Sequence, residues 1–201
     1  CFQINPQVQH AVATTGIIVT NDDEMANRAR LIRNHAIIND SFDKDGNLGY
    51  MYDVIDIGQK YDLNSLCAAY GIAQFEKLGM FIARRKAIAA IYNEELKNCP
   101  HITTPLAKRD HIYNQYIIKI DKNRDSFARE LKEMGISTSL HYRPMHLLSY
   151  YKTKYHLRVN DFPKALKTYQ QILSLPIYAA LSDEEVLYIC NAVKSVAQNR
   201  V

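Results

Sequence analysis

The chain has 201 residues, of which 47% are hydrophobic, and this length and composition are typical of a folded globular protein. Its 25 basic and 21 acidic residues give a net charge of +4 and are interspersed along predicted helices, so we expect no nucleic-acid partner. No run of ~18 apolar residues predicts a membrane span, and the first residues do not form a signal peptide, so we expect a cytoplasmic protein. The four cysteines are scattered without a Cys-x-x-Cys pair, so the sequence predicts neither a metal site nor a disulfide framework.

The first predicted elements are two short strands, Cys1–Ile4 and Gly16–Thr20. A helix follows, with Asn21 or Thr20 as the expected cap and acidic residues in its first turn, and is expected to end at about Arg33. Residues 39–53 are rich in Asn, Asp, Ser and Gly and show no periodicity, which predicts a long loop, either functional or disordered.

Two apolar helices follow the predicted loop. Asn64 or Ser65 is expected to cap a helix that ends near Leu78, and a longer helix is predicted over Phe81–Lys97. The arginine pair at 84 and 85 is expected to lie on the solvent-facing side of this second helix.

The remaining residues alternate between strand and helix patterns. A strand is predicted over Tyr113–Ile120, a helix over Arg124–Met134 stopped by Gly135, and a second strand over Ile136–Tyr142. Residues 161–173 are predicted to form another helix. Ser182 to Glu185 is a capping box that opens a last helix, to about Gln198.

One short segment concentrates polar chemistry. His141-Tyr142-Arg143-Pro144-Met145-His146 places two imidazoles, a phenol and a guanidinium within six residues, at the end of a predicted strand. Such groups suit an anionic, hydroxyl-rich ligand, although a surface turn with stray histidines has the same composition.

The order of several motifs resembles the C-terminal part of the DegT/DnrJ/EryC1/StrS aminotransferases, which use pyridoxal phosphate (PLP) to aminate nucleotide-linked keto-sugars. The likeness covers essentially all 201 residues. The motifs that carry it are Thr15–Asp22, Arg30–His35, Ile57–Asn64, Ala68–Leu78, the Arg84-Arg85 pair, Gly135-Ile136, His141–His146 and Leu173–Tyr178.

The resemblance implies an α/β fold, the C-terminal half of a fold type I PLP-dependent transferase of the aspartate-aminotransferase kind. Residues 1–98 would end the large cofactor domain and residues 99–201 would form a small α+β domain. It further implies an enzyme that transfers an amino group from glutamate to a nucleotide-linked keto-sugar, in surface polysaccharide or amino-sugar biosynthesis. A homodimer with a nucleotide-sugar substrate is expected on the same basis.

The N-terminal residues depart from the family pattern, which is roughly Ser-Phe-His-x-x-Lys. Counting back from the strand at Ile17 places Gln3 at the serine, Asn5 at the histidine and Val8 at the cofactor lysine. Valine has no amine to attach to the cofactor, so no catalytic residue is predicted, and Gln3 and Asn5 are predicted as cofactor-binding residues. Some relatives that act as dehydratases use a histidine instead, and His10 lies two residues away.

Two further groups of site residues follow from the resemblance. Lys60 occupies a loop that, in the family, reaches across the dimer to the partner's cofactor phosphate, so it is predicted to bind phosphate. His141, Tyr142, Arg143 and His146 match the element that lines the sugar-nucleotide pocket, where Arg143 is predicted to pair with a diphosphate.

Three explanations stay open for the valine at the position of the family's cofactor lysine. The chain is a homologue that lacks the lysine and binds a nucleotide sugar or partners an active subunit, or it is a PLP-dependent sugar dehydratase that uses His10. Alternatively, residues 1–15 as written contain an error, and the aminotransferase interpretation stands unaltered.

Overall fold

A computed structural model describes residues 2–4, 15–39, 52–106 and 109–200. The helices are α1 (Asp23–Arg33), α2 (Ser65–Glu76), α3 (Leu78–Glu95), α4 (Arg124–Glu133), α5 (Ser149–Lys154), α6 (Pro163–Gln171) and α7 (Asp183–Gln198), with a 3-10 helix at Met145–Leu147. The strands are β1 (Phe2–Ile4), β2 (Thr15–Ile17), β3 (Ile37–Asn39), β4 (Tyr52–Val54), β5 (Ile102–Thr103), β6 (Tyr116–Ile120) and β7 (Ile172–Leu175). The chain divides into two compact units, 1–77 and 78–201. The domain boundary predicted at residue 98 stays a prediction.

The first unit contains two antiparallel strand pairs and two helices. β1 pairs with β2, so that Gln3 lies opposite Gly16, and β3 pairs with β4. Helix α1 begins after Asp22, whose side chain accepts a hydrogen bond of 3.0 Å from the Met25 amide. Because a carboxylate satisfies a free amide and favours the positive end of the helix, Asp22 is the cap, in place of the predicted Asn21 or Thr20. The predicted loop at 39–53 lies mostly outside the described residues.

A tight backbone contact ends α1. His35 and Ala36 both adopt the left-handed conformation, with φ of 58° and 54°. The amide of Gln59 donates to the carbonyl of Ile32 at 2.8 Å, and the amide of Tyr61 donates to the carbonyl of Arg33 at 2.9 Å. Backbone amides from a distant segment therefore satisfy the free carbonyls of the last turn.

The segment can approach α1 this closely because residue 58 is glycine. A Cβ atom on Gly58 would lie 2.2 Å from both the carbonyl carbon of His35 and the amide nitrogen of Ala36. Any side chain would therefore collide with main-chain atoms, which cannot move aside as a flexible side chain does.

The second unit is built on a three-stranded antiparallel sheet in the order β5-β6-β7. The central strand β6 buries alternate side chains, Tyr116, Ile118 and Ile120, each at most 1% exposed. Helices α3, α4 and α7 contribute further buried apolar residues, among them Tyr92, Phe127 and Val193. The predicted Ser182 capping box is present at the start of α7.

Two secondary-structure predictions beside strand β7 are wrong. Residues 136–142 do not form a strand, because only Ser139 pairs, as an isolated bridge to Ser174, before the chain leaves the edge of the sheet. The helix predicted over 161–173 ends at Gln171, because Ile172 to Leu175 pair with β6 instead. In both places hydrogen bonding across the sheet, which local pattern does not reveal, decides the conformation.

The arginine pair is not the solvated face that the sequence predicts. Both side chains are half-buried. Arg84 pairs with Asp183 at 2.7 Å and also donates to the carbonyl of Leu181, while Arg85 donates to the carbonyl of Asn114 at 3.1 Å. The pair therefore ties α3 to the start of α7 and to the loop before β6.

Candidate functional site

The predicted His141–His146 element begins beside the edge strand β7. Ser139 and Ser174 exchange backbone hydrogen bonds of 3.1 and 2.8 Å, which fixes the chain two residues before His141. The Nδ1 atom of His141 then lies 2.8 Å from the hydroxyl oxygen of Ser174, a buried residue. This bond orients the half-buried imidazole and leaves its other nitrogen for a second partner.

Tyr142 and Arg143 extend from this anchor into solvent. The Tyr142 ring stands perpendicular to the His141 ring, with centroids 4.9 Å apart, and 75% of Tyr142 is exposed. Arg143 is also exposed, and its guanidinium forms neither an ion pair nor a hydrogen bond with any described residue. A fixed imidazole, a phenol and an unneutralised guanidinium are thus adjacent, which is a suitable arrangement for a hydroxylated anion.

His146 does not join this exposed group. It lies in the 3-10 helix, is 5% exposed, and its ring centroid lies 5.0 Å from that of Phe162. Its Nε2 atom is buried and has no hydrogen-bond partner among the described residues. The predicted contact between His146 and a ligand stays a prediction, and the burial favours a packing role within the element.

An open groove of about 420 Å³ lies next to Tyr142, on the side of α6. It is lined by Tyr142, Pro144, Lys164, Ala165, Thr168, Tyr169 and Ile172. The sequence prediction did not include the α6 residues or Ser174. Their signals are weak: the spacing of Lys164 and Thr168 places them on one face of a helix, and Ser174 interrupts an apolar strand.

Lys60 is held by the segment that closes α1. Its backbone forms an isolated bridge with Asn34, and the neighbouring Tyr61 amide is bonded to α1. The side chain is exposed, and its ammonium pairs with no carboxylate among the described residues. A fixed backbone with an unpaired ammonium suits an anionic group such as phosphate.

The N-terminal candidates are only partly described. Gln3 lies in β1, where its backbone pairs with Gly16. Asn5, Val8 and His10 lie outside the described residues. The predictions made for these four residues therefore stay predictions.

Comparison with known proteins assigns the family. A model of the DegT/DnrJ/EryC1/StrS aminotransferase family matches residues 1–194. The chain belongs to this family.

Two relatives of this family member illustrate the extent of the similarity. Protein MJ1066 of Methanocaldococcus jannaschii is 36% identical in an alignment of 194 positions that covers 92% of this chain and 50% of MJ1066. The spore coat polysaccharide biosynthesis protein SpsC of Bacillus subtilis is 29% identical, with coverage of 94% and 51%. The chain therefore spans about half the length of the curated relatives that it matches.

A solved structure of similar fold supports the family assignment. Spr1654 of Streptococcus pneumoniae, in its pyridoxamine phosphate form, superposes with a TM-score of 0.81 and 26% identity, over 89% of this chain and 46% of that one. The fold is that of a fold type I PLP-dependent aminotransferase, and the predicted fold class and family are confirmed. Spr1654 has also been solved in a PLP form, which indicates the cofactor of the family.

Within the described ranges, no helix is long and apolar enough to cross a membrane. The same ranges hold no cluster of three or more His, Cys, Asp or Glu side chains arranged to bind a metal ion.

Proposed function

We propose that this chain is the C-terminal half of a PLP-dependent enzyme that transfers an amino group from glutamate to a nucleotide-linked keto-sugar. The observation that carries the proposal is the family match over residues 1–194, which leaves almost none of the chain outside it. The association of SpsC with spore coat polysaccharide supports a role in surface polysaccharide biosynthesis.

The proposed substrate contacts start from the anchored imidazole. Ser174 holds His141 by the 2.8 Å bond, and His141 offers its remaining nitrogen to a sugar hydroxyl. Tyr142 and Arg143, both exposed, follow directly along the chain. A planar guanidinium binds two phosphate oxygens at once, so we assign the diphosphate to Arg143.

The residues that the structure describes also fit part of the cofactor. PLP, when bound, supplies the electron sink for amino-group transfer. Lys60 has a fixed backbone and an ammonium that pairs with no carboxylate among the described residues. In the homodimer that the family resemblance implies, Lys60 would hold the phosphate of the PLP bound to the partner subunit. Cytoplasmic localisation forms part of the same proposal.

A covalent-capture experiment tests the proposal. The purified protein is mixed with PLP, its absorbance and intact mass are recorded, and borohydride reduction is followed by peptide mapping. We expect a single reduced cofactor adduct on a lysine, together with glutamate-dependent amination of a nucleotide-linked keto-sugar. Residues 1–15 contain no lysine as written, so an adduct that maps to them would also show that these residues differ from those written here.

Val8 favours a second candidate, a homologue that binds a nucleotide sugar or partners an active subunit without transferring an amino group. Absence of any lysine adduct, at a mass matching 23.1 kDa, would support it and contradict the aminotransferase. A dehydratase that depends on His10 would instead consume the sugar substrate with the cofactor bound but not reduced onto a lysine.

Arg143 provides a test of the proposed substrate site. Arg143→Ala should raise the KM for the nucleotide sugar roughly tenfold while kcat changes little, since a charge-assisted bond to a distant phosphate is lost. Arg129→Ala is the control, because Arg129 is an exposed arginine on α4 in the same unit. An unchanged KM in Arg143→Ala would remove Arg143 from the site.

A further inference from the structure

The positive charge of this chain is concentrated in a segment that begins with the proposed substrate contacts. Residues 142–164 contain five basic residues and one acidic residue, a surplus of four, which equals the net charge of +4 of the whole chain. The other residues are therefore balanced in formal charge. The basic residues are Arg143, Lys152, Lys154, Arg158 and Lys164.

The same segment exposes aromatic rings around one of these charges. The Lys154 ammonium lies 5.3 Å from the centroid of the Tyr150 ring and 5.5 Å from that of Tyr155. It also donates a hydrogen bond of 3.1 Å to the Tyr150 hydroxyl. Tyr150 and Tyr155 are 64% and 57% exposed, so both rings are accessible beside the cation.

The backbone holds this group in place. Tyr151 stacks on Tyr155, with an angle of 12° between the rings, and the Tyr155 amide donates to the Tyr151 carbonyl at 3.0 Å. The Lys152 amide donates to the Leu148 carbonyl at 2.9 Å, which starts α5 directly after the 3-10 helix that follows Arg143. The rings and the ammonium are thus preorganised at α5, the helix that follows the proposed substrate contacts along the chain.

The charge on Lys154 has no carboxylate to neutralise it among the described residues. Asp161, the acidic residue of the segment, instead accepts a hydrogen bond of 2.8 Å from the Arg158 amide. Exposed aromatic faces and an unneutralised cation together favour a ligand that has both a flat ring and a negative charge.

We propose that Tyr150, Lys154 and Tyr155 form the subsite for the nucleoside diphosphate part of the substrate. Lys154 binds the phosphate next to the nucleoside, which leaves the second phosphate of the diphosphate to Arg143, and the base stacks on an exposed tyrosine ring. The inference rests on the proposed function for its choice of ligand, but its residues are different from those assigned above. It gives a role to Lys154, one of the basic residues that follow Arg143 along the chain.

Binding of UDP and dTDP to the purified protein, measured by calorimetry, tests the subsite, with uridine and inorganic pyrophosphate as the two partial ligands. Lys154→Met should weaken the diphosphate nucleotides and pyrophosphate roughly tenfold and leave uridine unchanged. Tyr155→Leu should weaken the nucleotides and uridine roughly tenfold and leave pyrophosphate unchanged. Lys132→Met on α4 and Tyr188→Leu on α7, which replace exposed residues of the same types, should change none of them.

Three results would overturn the subsite: no binding of UDP or dTDP by the wild type, equal affinity for pyrophosphate and the nucleotides, or unaltered binding in both variants. The covalent-capture experiment separates this outcome from failure of the proposed function. A protein that forms the lysine adduct and transaminates, yet binds nucleotides equally well in the variants, keeps its function and loses the subsite. A protein that forms no adduct but shows the expected variant pattern keeps the subsite and loses the aminotransferase.

Discussion

The two units of the chain differ in where their apolar side chains lie. In the second unit, α3, α4, α7 and the sheet enclose a continuous core that includes Tyr92, Ile118 and Phe127. In the described part of the first unit, Ala36 is the one buried hydrophobic side chain. Helix α2 instead exposes 72% of both Leu66 and Phe75. An apolar helix face of this kind is typical of a surface that other polypeptide covers.

The difference indicates what stabilises each unit. The second unit gains hydrophobic stabilisation from its own residues, whereas the described part of the first unit depends on backbone contacts such as those around Gly58.

The largest predicted effect contrasts the same substitution in the two units. Phe127→Ala should lower the free energy of unfolding by about 3–5 kcal/mol, because the ring is fully buried and its removal leaves a cavity. Phe75→Ala should change it by less than about 0.5 kcal/mol, because that ring is largely exposed. Urea denaturation of both variants measures the contrast. A large loss in Phe75→Ala would show that α2 is already covered in solution.

The next effect concerns the backbone contact in the first unit. Gly58→Ala should destabilise this contact by about 1–3 kcal/mol, because the new methyl group meets main-chain atoms of His35 and Ala36. Gly79→Ala is the matched control, since a Cβ there meets nothing within 4 Å and should stabilise α3 by about 0.5–1 kcal/mol. Hydrogen exchange of the Gln59 and Tyr61 amides reports the first change, and thermal unfolding reports the second. Unaltered protection of both amides in Gly58→Ala would contradict the close approach.

Helix caps allow a smaller comparison. Ser182→Ala should cost about 1 kcal/mol of global stability, because α7 buries seven of its residues in the core and its capping box is lost. Asn64→Ala removes a 2.8 Å bond to the Cys67 amide, but α2 buries only Gly71, so the effect should be confined to faster exchange of nearby amides. Denaturation and hydrogen exchange of the two variants distinguish global from local loss. Equal global losses would contradict the difference between the units.

The smallest effect depends on pH and concerns the first unit. The hydrogen bond from Arg28, followed by that from the Ile57 amide, holds the pKa of Asp56 below its usual value of 3.8. The resulting stabilisation is complete above that value and is lost as the pH falls through the lower pKa of the folded state. An NMR titration should show the Asp56 pKa rising in Arg28→Ala and staying unchanged in Arg30→Ala. No rise in Arg28→Ala would remove this ion pair as the cause.

Local patterns were sufficient for the elements that local chemistry specifies. The caps at Asn64 and Ser182 and the stop at Gly135, with φ of 78°, fix helix ends through hydrogen bonds and conformations available within a few residues. The ordered motifs also gave the family, since the match covers nearly the whole chain. The predicted bounds of strands and helices were wrong where pairing between distant residues decides them, at the edge of the sheet around Ser139 and at Ile172.

The candidate functional site shows the same division between local and long-range information. The sequence by itself determined the family and the cluster of residues 141–146, because residue types and their order are local information. Only the tertiary structure placed Ser174 against His141 from 33 positions away and buried His146. Burial and the partner of a polar atom depend on residues far apart in the chain, so they emerge only when the elements pack.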